Sequence, residues 1–345
     1  MKAWPSKIVI IVAAFALVLA GCGGNDNPSE QQGTGSAAES SGKIQVVTTF
    51  YPMYEFTSQV AGEHADVTAL VPAGAEPHDW EPSAKDMAKI KEADVFVYNG
   101  IVEGWVEQAL KSAPNEKRIV VEASSGIELM EGEEHDHDHG HEEEDHSAED
   151  HDHEAHEEDE HEQEHQGEEE HVLDPHVWLS PVLAQRQVLA IQEALAQADP
   201  EHKDGYKANA DAYIAMLKEL DEAFRDGLKE AKTKEFVTQH MAFGYLAREY
   251  GLTPIPIAGL SPDQEPSPEK MAEIVTFAKE HQVKTIFFET VSDPKIARTI
   301  ADEIGAKTDV LNPIERLTEE DKNNGLDYIA IMTQNLEALK KALNE

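Results

Sequence analysis

Histidine is the residue type in this 345-residue chain whose number and placing could do chemistry, since there are 17 of them. Eleven crowd into residues 131–171; the rest are His64, His78, His176, His202, His240 and His281. Three of these six stand at the edges of elements. His78 follows the loop after the second expected strand, His176 sits in Asp174-Pro175-His176-Val177-Trp178 where a helix begins, and His240 closes Phe236-Val237-Thr238-Gln239. Glu315 follows the strand and turn Val310-Leu311-Asn312-Pro313-Ile314. In open parallel sheets ligands bind beyond the carboxyl ends of strands, which makes these four the residues to suspect. Three imidazoles with one carboxylate form a nitrogen-rich, borderline donor set. It suits tetrahedral Zn²⁺ better than Mn²⁺, which prefers oxygen. Glu289, at the end of a strand over 285–288, competes with Glu315 for the fourth position, as does water. His64, His202 and His281 lie among polar neighbours and read as surface residues, while Trp80, Trp105 and Trp178 read as core or cleft walls.

The elements that must position these side chains alternate. Short β-branched runs at 43–50, 66–71, 94–98 and 118–122 are separated by helical patterns such as 53–60 and 83–92. An amphipathic helix is expected over 181–198, and a helix of about seven turns over 205–231. The alternation then resumes, with strands at 235–238, 253–257, 284–288 and 308–311 and helices at 242–250, 268–282, 294–304 and 326–343. Two α/β lobes joined through a long helix account for this order economically.

Composition bounds the function. Lys and Arg number 28 against 69 Asp and Glu, and the formal charge of −41 repels a phosphate backbone, so nucleic-acid binding is excluded. A single Cys rules out a disulfide framework and any Cys-rich zinc module. Lys2 and Lys7 precede an apolar run over 8–20 that is too short to span a bilayer, so residues 1–21 read as a signal peptide. That run ends Leu19-Ala20-Gly21-Cys22, which resembles the bacterial lipobox and marks Cys22 for lipidation. Residues 22–42 then form a polar tether, which puts the mature protein at the cell membrane on its extracytoplasmic face. Residues 131–171 hold 22 Asp and Glu, no Lys or Arg, and only Ala148 and Ala155 as apolar residues, so no core can form there. Imidazoles of ordinary pKa ~6.5 among carboxylates should attract cations, giving numerous exchangeable sites weaker than a built one.

Five stretches match a family in order: PHDWEPSAKD from Pro77, LDPHVWLSP from Leu173, TQHMAFGYLAREYGL from Thr238, FFETVSDPKIARTIADEIG from Phe287 and LNPIE from Leu311. They resemble the ZnuA-like zinc-binding lipoproteins, solute-binding subunits of ABC metal importers in the TroA-like group, over nearly the whole mature chain. The resemblance implies α/β lobes with mainly parallel sheets, joined by one long rigid helix, with metal in the interlobe cleft. The N-terminal lobe would span 43–203 including the acidic loop, the linking helix 204–231, and the C-terminal lobe 232–345. By motif position His78, His176 and His240 match the family's imidazole ligands and Glu315 its more variable fourth. Manganese-binding relatives typically place a carboxylate at the third position, so His240 favours zinc, and the His-rich tract resembles the loop of zinc-type members. The implied partners are an ABC permease and its ATPase, with the protein a monomer and not an enzyme. Three rivals remain: a manganese-binding homologue, zinc storage or adhesion without transport, and, from another class, a zinc-dependent metallopeptidase. His161-Glu162-Gln163-Glu164-His165 fits the zinc-peptidase pattern HExxH, but in a His-rich tract such a match arises by chance, and no apolar face exists to dock the helix.

Overall fold

The computed structural model describes residues 42–132, 172–290 and 293–345. The signal peptide, Cys22, most of the tether, nearly all of the acidic tract and the HExxH match lie outside these residues. Among the described residues no helix is long and apolar enough to cross a membrane.

The first lobe is a four-stranded parallel sheet of β1 (Ile44–Thr48), β2 (Ala65–Ala69), β3 (Val95–Tyr98) and β4 (Ile119–Glu122), in the order β2-β1-β3-β4. Helices α1 (Tyr51–Ala61), α2 (Ala84–Glu92) and α3 (Val106–Ser112) supply the crossovers. Runs such as VFVY in β3 bury both faces, as a sheet covered on both sides requires. Ile90, Phe96 and Val106 pack on one face, while Phe50, Phe56 and Val97 join a larger core on the other.

A 3-10 turn at Val177–Leu179 leads into α4 (Pro181–Ala198) and then α5 (Lys203–Leu228). At 26 residues α5 is about 39 Å long. Its buried stripe, Tyr206, Ala210, Tyr213, Leu217, Leu220, Phe224 and Leu228, recurs every three or four residues. The stripe packs on α1 and α4 of the first lobe and on the C-terminal helix α10 (Tyr328–Ala342) of the second. One continuous apolar core therefore runs along α5 and includes side chains of both lobes, which makes the link a packed joint rather than a tether.

The second lobe repeats the first: β5 (Glu235–Thr238), β6 (Thr253–Pro256), β7 (Thr285–Phe288) and β8 (Lys307–Val310) form a parallel sheet in the order β6-β5-β7-β8. It is flanked by α6 (Gly244–Tyr250), α7 (Pro268–Glu280), α8 (Lys295–Ile304), α9 (Glu319–Asn323) and α10. Strand β6 holds Pro254 and Pro256, tolerable because it is an edge strand. Helices α3 and α9 were not expected from the sequence. The first buries only Val106 and Ala109, and the second buries nothing and is held by a capping box between Thr318 and Asp321, so neither carries an apolar period. Helix α6 starts at Gly244 rather than 242 because Ala242 is spent in a turn, its N–H donating to the His240 carbonyl at 3.0 Å.

The two ends of the acidic tract meet. Glu131 bridges Leu173 in antiparallel fashion and Gly132 N–H donates to the Val172 carbonyl at 2.6 Å. Trp178, fully buried, joins the lobes: its Nε1–H donates to the Pro313 carbonyl at 2.8 Å, its ring meets Phe50 edge-on, and its own carbonyl accepts from Tyr328 Oη at 2.6 Å. Replacing Trp178 by Phe removes ring volume and orphans the Pro313 carbonyl. It should cost about 2–4 kcal/mol in denaturant unfolding at unchanged m-value.

Candidate metal site

The site is built at corresponding places in the two sheets. In each, the chain leaves two adjacent strands in opposite directions, β1 and β3 in the first lobe and β5 and β7 in the second, and a crevice opens beyond their carboxyl ends. The first crevice holds Glu103, buried, whose carboxylate accepts from Thr49 Oγ1 at 2.5 Å, Asn99 N–H at 2.9 Å and Gly100 N–H at 3.1 Å. Burial pushes the Glu103 carboxyl pKa up, and these donors pull against that shift. Gly100 sits at φ 139°, and a Cβ there would meet Ser124 Oγ at 2.6 Å, so only glycine fits. Asn99, held in this way, takes Gln187 Nε2 at 2.9 Å and donates to the Pro175 carbonyl at 3.0 Å. The segment before His176 is thereby fixed to the sheet. Asp174 completes it, its Oδ1 accepting the His176 backbone N–H at 2.9 Å and lying 2.8 Å from His176 Nδ1.

The second crevice holds His240, two residues beyond β5, and Glu289, the residue after β7. The Glu289 carboxylate contacts Nδ1 of His240, and Glu289 N–H donates to Gln239 Oε1 at 3.1 Å. Glu315 arrives on the loop after β8. Asn312 N–H donates to Asn335 Oδ1 at 2.8 Å, Asn335 Nδ2 returns to the Asn312 carbonyl at 2.7 Å, and Ile314 N–H donates to Asn312 Oδ1 at 2.8 Å. Ile314 is buried at φ 59°, a left-handed conformation that is costly for a β-branched residue, by about 1–3 kcal/mol. The Asn312–Asn335 pairing and the Trp178 hydrogen bond hold that strain, and its result is to turn Glu315 inward. His78 comes from the long loop between β2 and α2.

All four sequence-expected residues converge. One oxygen of Glu315 lies 3.3 Å from His78 Nε2, 3.1 Å from His176 Nε2 and 3.2 Å from His240 Nε2, and the last two nitrogens are 3.4 Å apart. Donors about 2.0–2.1 Å from a tetrahedral ion stand about 3.3–3.4 Å from one another, close to the 3.1–3.4 Å of these four pairs. The side chains of His176, His240 and Glu315 are 0%, 0% and 1% exposed, and that of His78 13%. Where Nδ1–H of His176 and His240 is given to Asp174 and Glu289, their Nε2 atoms are bare lone pairs facing a carboxylate oxygen. Acceptors crowded in this way need a cation between them, either a metal ion or protons. The electrostatics agree. Burial would lower the His176 pKa, but the hydrogen bonds to Asp174 and Glu315 outweigh it and raise it. His240 is likewise carried well above the ordinary imidazole value, against burial, by the Glu289 and Glu315 charges. Burial would raise the Glu315 pKa, yet the three histidines, His240 foremost, hold it well below the usual carboxylate range.

His64 and His202 stack on each other at 4.6 Å on the first lobe, His202 beside Asp199 at 2.6 Å, and His281 stacks on Phe277, all away from this cluster. Residues 46–342 match the family described as "Zinc-uptake complex component A periplasmic", ZnuA. The chain belongs to the ZnuA family. Relatives include the high-affinity zinc uptake system protein ZnuA of Bacillus subtilis, 50% identical over 343 residues, 99% of this chain and 98% of that one. The zinc-binding lipoprotein AdcA of Streptococcus pneumoniae is 43% identical over 344 residues, which span 98% of this chain but 61% of AdcA. The Zn(II)-bound ZnuA-like domain of that AdcA superposes with a TM-score of 0.70 at 42% identity, covering 88% of this chain and 100% of the domain. The two lobes with parallel sheets are thus the fold of ZnuA-type solute-binding proteins, a non-enzymatic class of transporter component.

Two contributors to the site were not assigned from sequence. Asp174 was visible only as part of the motif around His176. Glu289, read as a rival ligand, contacts Nδ1 of His240, and it also forms with His240 and Glu315 a group close enough to hold an ion. Because protons and metal compete for the same imidazoles, zinc affinity should fall as pH is lowered through the raised His pKa values and rise as pH increases until both rings are deprotonated. Calorimetry in buffers of different ionisation enthalpy should show protons released on binding. Glu289→Gln should weaken zinc binding about 10–100-fold, less than loss of His240 itself.

Proposed function

We propose that the protein captures Zn²⁺ with high affinity outside the cytoplasmic membrane and delivers it to an ABC permease for import. The observation that carries this reading is one buried Glu315 oxygen within 3.1–3.3 Å of three imidazole nitrogens in the interlobe cleft. His78, His176, His240 and Glu315 are the ligands on this reading, and Asp174 and Glu289 orient two of the imidazoles. The nitrogen-rich set favours zinc over manganese. Its relatives' names point the same way, to zinc uptake and zinc binding. No bond is made or broken: the protein binds, holds and releases an ion. Cys22 would carry the lipid that keeps the protein at the membrane, and the permease with its ATPase would be the partners.

The acidic tract serves on this reading as an accessory collector. Its ends, clasped through Glu131–Leu173 and Gly132–Val172, lie side by side, so it can be removed without stretching the fold. Deleting 133–171 and joining the clasped ends should leave the melting temperature of the metal-free protein within about 2 °C and retain one tight zinc site while lowering total zinc bound. In cells whose import depends on this protein, His240→Ala should abolish ⁶⁵Zn uptake. Uptake at the wild-type rate would overturn the assignment.

A further inference from the structure

The four candidate ligands are not held equally. His176 is backed by Asp174, His240 by Glu289 and Glu315 by the Asn312–Asn335 loop, and all three are buried. His78 is the most exposed of the four, and it rides on a loop that passes through Gly74 at φ 77° with open space around it. An ion leaving the cleft must lose this ligand most easily. What restrains the loop is Glu76, two residues before His78. Its Oε1 accepts the His78 backbone N–H at 3.2 Å, and its Oε2 lies 3.0 Å from Nη1 of Arg316, the residue after Glu315 in the opposite lobe. The paired side chains are 11% and 10% exposed, so solvent screens them little compared with a surface pair. Arg316 also lines a cavity of about 470 Å³ that reaches Glu315 and is walled by Tyr51, Tyr54, Pro72 and Ala73, the last two at the start of the His78 loop. The loop therefore borders open volume on one side and the ion pair on the other.

Resting on the zinc reading above, we infer that Glu76 and Arg316 form a clamp across the cleft that sets how fast the ion is released. Neither is a ligand; both are positioning residues. The carboxylate of Glu76 couples a backbone amide of the loop to the other lobe, so breaking the pair frees His78 to swing without altering the donor atoms. The effect belongs in the dissociation rate more than in association, because the pair acts on the closed, loaded site.

The test is stopped-flow release of zinc from the mature protein into excess chelator, with the d–d absorption of the Co²⁺-loaded protein recorded beside it. Glu76→Gln, Arg316→Gln and the double variant should each release zinc at least about tenfold faster than wild type, with the double no faster than the faster single variant. Arg316→Lys, which keeps the charge, should stay within about threefold of wild type. The cobalt spectrum should be unchanged in all, which a merely structural collapse would not allow. Unchanged release in Glu76→Gln, additive effects in the double variant, or an altered cobalt spectrum would overturn the clamp. Glu76→Gln is nearly isosteric and keeps the acceptor for His78 N–H, so it decides the matter alone if Arg316→Gln does not fold. Failure of the wild type to hold one tight zinc ion would instead undo the metal-site reading.

Discussion

A buried Glu315 oxygen within 3.1–3.3 Å of three imidazole nitrogens is the constraint on which the structure depends. Bare acceptors at that spacing repel one another unless positive charge lies between them. The protein sustains the arrangement by anchoring three of the four donors from behind. Asp174 and Glu289 fix two imidazoles by their far nitrogens, and a strained Ile314 held by Asn312, Asn335 and Trp178 aims the carboxylate. On the zinc reading the cost of this assembly is repaid when the ion arrives, so selectivity and affinity share one origin.

The two lobes solve the positioning problem with the same sheet order and different fillings. In the first lobe the crevice beyond β1 and β3 is filled by Glu103 and Asn99, which present the His176 segment from outside the sheet. In the second, the equivalent crevice supplies His240 and its backing carboxylate directly. The remaining candidate ligands come from loops after β2 and β8, which meet across the cleft. Because the core is continuous along α5, large separation of the lobes would expose apolar surface. The less costly motion is that of the His78 loop.

Much of this was legible in the sequence. Short β-branched runs and period-3.6 patterns marked the eight strands of the described residues and the long helices, and position beyond strand ends pointed to His78, His176, His240 and Glu315, with Glu289 left competing for the fourth place. Small, shallow elements escaped, because α3 and α9 bury almost nothing and leave no period. The backing carboxylates escaped for a different reason. Asp174 acts through geometry two residues from its partner, and Glu289 is 49 residues from His240 in the chain, so only the pairing of β5 beside β7 shows which nitrogen it meets. The link between Glu76 and Arg316 spans 240 positions and has no local signal at all.

Zinc-edge anomalous diffraction from crystals of the one-to-one complex tests the central claim most directly. The account predicts one strong cleft peak about 2.0–2.2 Å from Nε2 of His78, His176 and His240 and from a Glu315 oxygen, with Glu289 still on Nδ1 of His240. A peak ligated by Glu289 in place of Glu315, or no zinc among the three histidines, would contradict it.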